Sequence, residues 1–303
     1  MRFYNTQHQF YCGIALHARS MYVCIVRHDG ELLVPRTMQA APEPFLNAIA
    51  PARDGLVVAV EGLCTWYWLA DLCAHEAIPF VLGHALSMKA MHGGTATKDK
   101  IDAQKIATLL RGGMLPHASG SPAQMRATRA GLRRRTHLMR TRAELLAHGQ
   151  HTNSQYTLPE IGKQIAYKAN RAGGAERFDE AAVHTTIAVD LDLITSDDAL
   201  RKDLALFILT TATPHEAPTW DLFHTVPGIG TILRLVLLYD MHQIERFPRG
   251  QDCASYGRLL TCAKESGGTR VGTSGNKIDN AHRTGAFSEA ATLFRRGNEP
   301  GQQ

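Results

Sequence analysis

No CxxC pair occurs among the six cysteines, which stand at positions 12, 24, 64, 73, 253 and 262. That spacing fits neither a zinc site nor a dense disulfide frame, so the thiols are expected to be reduced and mostly buried. HExxH and HxxxH pairs are also missing, and the 15 histidines are scattered. No apolar run reaches the ~18 residues of a membrane helix, which excludes a spanning protein. The N-terminal stretch MRFYNTQHQFYCG lacks the apolar segment of a signal peptide, so the expected location is the cytoplasm. Neither GxGxxG after the first strand nor GxxxxGK[ST] is found, which leaves a nucleotide-cofactor enzyme without support.

What is present is an ordinary globular balance, with 44% hydrophobic and 20% charged residues over 303 positions. The length suits roughly two domains of ~100–200 residues. Lys and Arg number 33 and Asp and Glu 28, a net charge of +5 that permits a nucleic-acid partner without requiring one.

The first third alternates strands and helices. Short apolar runs over 11–16, 21–26 and 31–35, with His28-Asp29-Gly30 as a turn, predict an antiparallel meander. A helix is expected over 43–50, a buried strand over 55–60 (GLVVAV), and a helix over 62–77. A strand over 78–82, a helix over 86–92, a break at Gly93-Gly94 and a helix over 97–111 complete the order βββ-α-β-α-β-α. That order fits a mixed sheet of the ribonuclease-H type, with three antiparallel strands before two parallel ones.

The middle third is helical in pattern. Seven arginines fall between 126 and 142, with a single acid, Glu144, just beyond. Two or three long helices are expected, as a hairpin or coiled-coil arm. The last third restarts at Trp220. It predicts an apolar helix over 231–239, a helical segment over 247–260, a loop or hairpin over 266–277 and a final helix over 280–296.

Several residues in this frame can carry chemistry. Glu61 ends the GLVVAV strand, where open sheets place their sites. Asp99 and Asp102, three apart, share one face of a helix's first turn, where capping alone would also favour acids. Three hard oxygen donors suit Mg²⁺ or Mn²⁺ and two-metal phosphoryl transfer. Arg126, Arg129, Arg133, Arg134 and Arg135 form a stripe that either faces water or neutralises phosphates. Val226-Pro-Gly-Ile-Gly resembles the hairpin of helix-hairpin-helix modules, where Gly228 and Gly230 would leave backbone amides open to a phosphate. Ser266, in a glycine-rich stretch with Lys264, Arg270 and Lys277, is a candidate nucleophile or simply a turn residue.

Five landmarks occur in order: YCGIALHARSMYVCIV, VVAVEGLCTWYWLADLC, TKDKIDAQKIATLL, VPGIG and SYGRLLTCAKESGGTRVGTSGNKIDNAH. Together they resemble transposases of the DEDD type, related to the pilin-gene invertases, some of which are guided by a bridge RNA. The resemblance implies a RuvC-like domain over 1–118, a helical coiled-coil linker over 119–215 and a mainly helical transposase domain over 216–303. It implies that Glu61, Asp99 and Asp102 are three of four Mg²⁺-binding carboxylates. It further implies that Ser266 is the nucleophile that joins covalently to DNA, and that carboxylates and serine meet across protomers of a dimer or tetramer. DNA and a structured guide RNA would be the partners.

One departure stands out. The family's first acid belongs in a GI-Asp-LH context, and here the segment is GIALH, with Ala15 in its place. Losing that carboxylate removes a metal ligand. His17, two residues on, shares a strand face with position 15, although neutral imidazole suits Mg²⁺ poorly. The final helix also looks worn at Arg283 and Thr284. Alternatives to an active recombinase are therefore an inactive nucleic-acid-binding homologue and a Holliday-junction-type nuclease.

Overall fold

The computed structural model describes residues 2–62, 65–92, 98–159, 165–212, 217–242, 244–257, 259, 263–273 and 281–297. The Gly93-Gly94 break and Lys277 lie outside the described residues. Two compact units divide the chain after Ala123.

The N-terminal unit opens on β1 (Phe3–Tyr4), followed by β2 (Phe10–Leu16), β3 (Ser20–Arg27) and β4 (Leu32–Gln39). These are followed by α1 (Pro42–Ile49), β5 (Leu56–Glu61), α2 (Tyr67–His75), β6 (Phe80–Gly83), α3 (Ala85–His92), α4 (Asp99–Arg111) and β7 (Leu115–Pro116). The main sheet has the order β4-β3-β2-β5-β6. β2, β3 and β4 pair antiparallel, while β5 joins β2, and β6 joins β5, in parallel. Three antiparallel strands thus precede two parallel ones, as the order of elements predicts. The pairing of β1 with β7 is only two residues long, and no sequence period announces it.

Alternation along each strand sends side chains to two faces. Cys12, Ile14, Leu16, Val58 and Val60 point to one face, against Phe45 and Ile49 of α1 and Leu69 and Cys73 of α2. Tyr11, Val57, Ala59 and Val81 point to the other, against Ile106, Leu109 and Leu110 of α4. The α4 contact is unusually close over β2. A Cβ on Gly13 would lie 2.2 Å from the Ala103 carbonyl oxygen and 2.4 Å from the Ala107 amide nitrogen. Ala103 and Ala107, both buried, complete a small-on-small contact. Helix α4 can therefore lie deep on the sheet only because position 13 has no side chain.

Helix α2 is shorter than the 62–77 pattern predicts. It starts at Tyr67, after Trp66, whose buried ring stacks on Phe80 with centroids 6.2 Å apart.

The C-terminal unit holds two long helices, α5 (Ala123–Gln155) and α6 (Ala181–Thr211). They run antiparallel. Leu132 meets Ile208, Arg142 bonds Asp198, and His148 bonds Asp190, so each step forward on α5 is a step back on α6. Ion pairs lie between them as well as apolar contacts, which makes the heptad pattern poor in the sequence. Then follow α7 (Ala217–Thr225), α8 (Thr231–Met241), α9 (Gly250–Tyr256), the hairpin of β8 (Ala263–Ser266) and β9 (Thr269–Thr273), and α10 (Ala281–Gly297). Helix α8 packs on α5 and α6 through Leu235, Leu238 and Tyr239, and on α10 through Leu233 and Leu237. Helix α9 covers less than 247–260 because Pro248 precedes it and Gly257 ends it. No helix among the described residues is long and apolar enough to cross a membrane.

Asp198 is the polar hub of the α5–α6 pair. It accepts from Arg142 Nε at 2.8 Å, from Arg201 Nη2 at 2.7 Å, and from Arg171 Nη2. Burial alone would raise this carboxyl, but the three guanidiniums outweigh it and hold the pKa at about 2. A pKa below the unfolded value of ~3.9 makes this stabilisation complete above that pH and loses it as pH falls toward 2. Asp198→Asn would strip the buried Arg171 of its carboxylate. The expected cost is ~3 kcal/mol in urea unfolding at neutral pH. A loss under ~1 kcal/mol, the worth of a surface pair, would contradict the hub.

Candidate functional site

The carboxyl ends of β2 and β5 and the first turn of α4 meet on one face of the N-terminal sheet. Ile14 pairs in register with Val60, so Ala15 stands level with Glu61, the last residue of β5. Ala15 packs beside Ala103 and Ala107, on the α4 side. Asp99 and Asp102 lie in the first turn of α4, whose preceding residue, Lys98, makes no side-chain cap. The deep seating of α4 over Gly13 brings that turn down to the strand ends.

The three predicted acids have different surroundings. Glu61 is half-buried, and its carboxyl is raised above the ordinary range, first by burial and then by the neighbouring Asp102 carboxylate. Asp102 also faces Lys105, 3.8 Å away on its own helix. Asp99 lies 3.0 Å from His17 Nε2, an exposed contact between α4 and the residue just past β2. Glu61 and Asp102 are therefore electrostatic neighbours, while Asp99 is bonded to imidazole. Among the described residues, no group of three or more His, Cys, Asp or Glu side chains is placed to hold a metal ion. Alanine at position 15 adds no oxygen donor to Glu61 and Asp102.

The arginine stripe is balanced by acids that come from other helices, which the local sequence hides. Arg129 Nε donates to Asp240 Oδ1 at 2.7 Å, and Arg133 Nη2 donates to the same oxygen at 3.1 Å. Asp240 sits on α8 and is buried. Arg135 is half-buried, and burial, followed by repulsion from Arg201, lowers its pKa. Arg134 is exposed and Arg126 is part-buried. The reading of these residues as an unbalanced positive face therefore needs correction at Arg129 and Arg133. Two of the five guanidiniums are committed to Asp240, and Arg134 is the exposed one of the five.

Gly228 and Gly230 differ in role. Gly228 has φ +85°, and a Cβ there would lie 2.7–2.8 Å from Leu293 and the backbone nitrogen of Phe294. It admits α10. Gly230 precedes α8, is exposed, and has nothing within 4 Å of its Cβ position.

Ser266 closes β8 and pairs with Thr269 across a two-residue turn. Gly267 and Gly268, at φ +58° and +76°, supply the two left-handed residues that such a turn requires. The side chains of Ser266, Lys264 and Arg270 lie outside the described residues.

Sequence reasoning missed Gly13, Asp240 and Asp198. Each acts on residues far away in the chain, and none sits in a local motif.

Residues 221–302 match the model of a family described as Transposase IS116/IS110/IS902 family. That stretch takes in α8, the β8–β9 hairpin and α10. No curated protein matches the chain.

Proposed function

We propose that this chain is built as a DNA transposase of a mobile element, with a RuvC-like N-terminal domain, and that Ala15 impairs its chemistry. The feature that supports this reading is Glu61 at the end of β5 with Asp102 in the first turn of α4, near enough to raise the Glu61 carboxyl after burial has done so. It stands in a chain whose residues 221–302 match a transposase family.

Mg²⁺ is commonly bound by one or two carboxylates together with substrate phosphate and water. Glu61 and Asp102 fit one such Mg²⁺ or Mn²⁺; alanine at position 15 leaves no four-carboxylate cage. When bound, the ion polarises the scissile phosphate. Glu61 and Asp102 would hold the ion, and the positive end of α4 attracts the phosphate. In the reaction, Ser266 Oγ gives up its proton and forms a bond to phosphorus. The P–O bond to the departing strand breaks, its oxygen takes a proton and leaves as a hydroxyl, and the retained strand stays esterified to the serine. Gly267 and Gly268 keep the hairpin tip free of side chains, so the DNA backbone can come close. Lys264, Arg270 and Lys277 neutralise the phosphates flanking the break. A dimer or tetramer brings the carboxylates of one protomer to the serine of another, and a structured guide RNA selects the sites.

Ala15 and the His17–Asp99 bond favour a second reading, a nucleic-acid-binding protein that has lost its chemistry. A Holliday-junction nuclease differs from the first reading in not needing the serine.

The test uses the Ala15→Asp chain with donor and target duplexes, Mg²⁺, and the RNA that copurifies with it. The readout is a protein–DNA adduct that survives detergent. Ser266→Ala is expected to abolish the adduct, and Glu61→Gln to lower it by about 10²-fold or more, the scale of one lost stabilising group. Strand cleavage that continues after Ser266→Ala would show a plain nuclease and overturn the proposal.

A further inference from the structure

Tyr167 is 68% exposed, more than any other large apolar side chain among the described residues. It lies between α5 and α6, just before a short 3-10 turn at Lys168–Asn170. A surface tyrosine on a loose loop needs no explanation. This loop is pinned. Arg171, itself only 6% exposed, donates from Nε to the Ile165 carbonyl at 3.3 Å and from Nη2 to the Ala166 carbonyl at 3.2 Å. Arg142 Nη2 donates to the same Ala166 carbonyl at 2.6 Å. On the other side, the Asn170 amide donates back to the Tyr167 carbonyl at 3.0 Å. The backbone is therefore fixed before and after Tyr167, while the ring joins neither hydrophobic cluster of the α5–α6 region.

The loop lies along the flank of the helix pair. Arg171 Nη1 donates to Thr195 Oγ1 at 3.0 Å, and Nη2 also reaches Asp198. Thr195 is about 20 Å along α6 from its first residue. The charge there is uneven. Residues 165–175 contain Lys168 and Arg171 and no acid. Behind them, Arg142, Arg171 and Arg201 converge on Asp198, with Asp197 as the neighbouring acid. With the exposed Lys168, cations outnumber carboxylates around the loop. A fixed aromatic ring open to solvent, beside a lysine and over positive ground, suits an unpaired base and its phosphate.

We propose that residues 165–171 form a platform on which an unpaired base of an RNA strand stacks, with Tyr167 under the base and Lys168 on the adjoining phosphate. The pinned backbone removes the ordering cost that a mobile loop would carry. RNA is the partner because duplex DNA keeps its bases stacked inside the helix, whereas structured RNA offers them in loops and bulges. The proposal rests on the guide-RNA part of the function above and names one contact for it.

The experiment titrates the full chain and its variants with a labelled RNA stem-loop carrying an adenine-rich loop, and with a fully paired RNA duplex. Fluorescence anisotropy is read at several salt concentrations. Tyr167→Ala is expected to weaken stem-loop binding about tenfold, the scale of one lost stacking contact, and to leave the salt slope unchanged. Tyr167→Phe keeps the ring and is expected to bind like the parent. Lys168→Gln is expected to shallow the slope of log K against log salt by about 0.7, the worth of one phosphate on a single strand. Tyr167→Trp is expected to bind, with emission quenched by the stem-loop beyond the parent's own change. Urea unfolding checks the fold, and Tyr167→Trp decides the matter if Tyr167→Ala does not fold. Folded Tyr167→Ala with the parent's affinity, or Tyr167→Trp emission that the stem-loop leaves unchanged, would overturn the platform while leaving the functional reading in place. An equal loss with the paired duplex would overturn it as well, since no base is free there to stack. Single-stranded DNA of the loop sequence, bound more tightly than RNA with the same dependence on Tyr167, would overturn the assignment to RNA. A parent chain that binds no RNA would sink both the platform and the guide-RNA reading.

Discussion

Gly13→Val is expected to unfold the N-terminal unit, or to push α4 off the sheet. The new Cβ would fall 2.2 Å and 2.4 Å from backbone atoms of Ala103 and Ala107, far inside contact distance. Neither atom can rotate away, because both belong to the main chain of α4. The choice is between lifting the helix and bending β2. Either one breaks the buried packing of Ala103, Ala107, Cys24 and Val26. Overpacking of this kind costs ~3 kcal/mol or more. It also moves the first turn of α4, so Asp102 leaves Glu61. Thermal and urea unfolding of the full chain measure the first effect. A Gly13→Val chain with the parent's midpoint would show that α4 is not seated as described.

Ala15→Asp should act in the opposite sense, on chemistry rather than fold. Ala15 is level with Glu61 and beside Ala103 on the α4 side. Glu61 already carries a raised pKa, from burial and then from Asp102. A third carboxylate would repel both, costing ~1 kcal/mol without a divalent cation. Saturating Mg²⁺ should reverse that loss. Binding at 100 times the dissociation constant stabilises by ~2.7 kcal/mol, which is several degrees in a chain of this size. The parent, with fewer oxygens at the site, should gain much less. Equal Mg²⁺ shifts in the two chains would place the ion elsewhere.

Much of the N-terminal unit is legible from local pattern. GLVVAV announces a buried strand, and His28-Asp29-Gly30 announces the turn between β3 and β4. Glu61 at a strand end and Asp99 with Asp102 in a first turn follow from those elements. Their convergence does not, because it depends on how closely α4 approaches β2. That distance is set by Gly13, Ala103 and Ala107, which form no motif. The charge balance of the arginine run at Arg129 and Arg133 is hidden for a related reason. A helix of arginines with one nearby acid reads as a positive face, yet Asp240 reaches it from 107 to 111 residues away. Counting charge along one helix misses acids delivered by another. His17 was legible as a neighbour of position 15, but its bond to Asp99 required the fold. The stretch 266–277 reads only as a loop or hairpin; that its turn falls at Gly267-Gly268, where two left-handed residues are needed, comes from the fold.

The central claim is that the site is intact except at position 15. Recombination between donor and target DNA, with copurified RNA and Mg²⁺, tests it in the parent chain beside Ala15→Asp. The account predicts that Ala15→Asp recombines at least ~10²-fold faster, the scale expected for restoring one group at the reacting centre. A parent chain that recombines as fast as Ala15→Asp would contradict it.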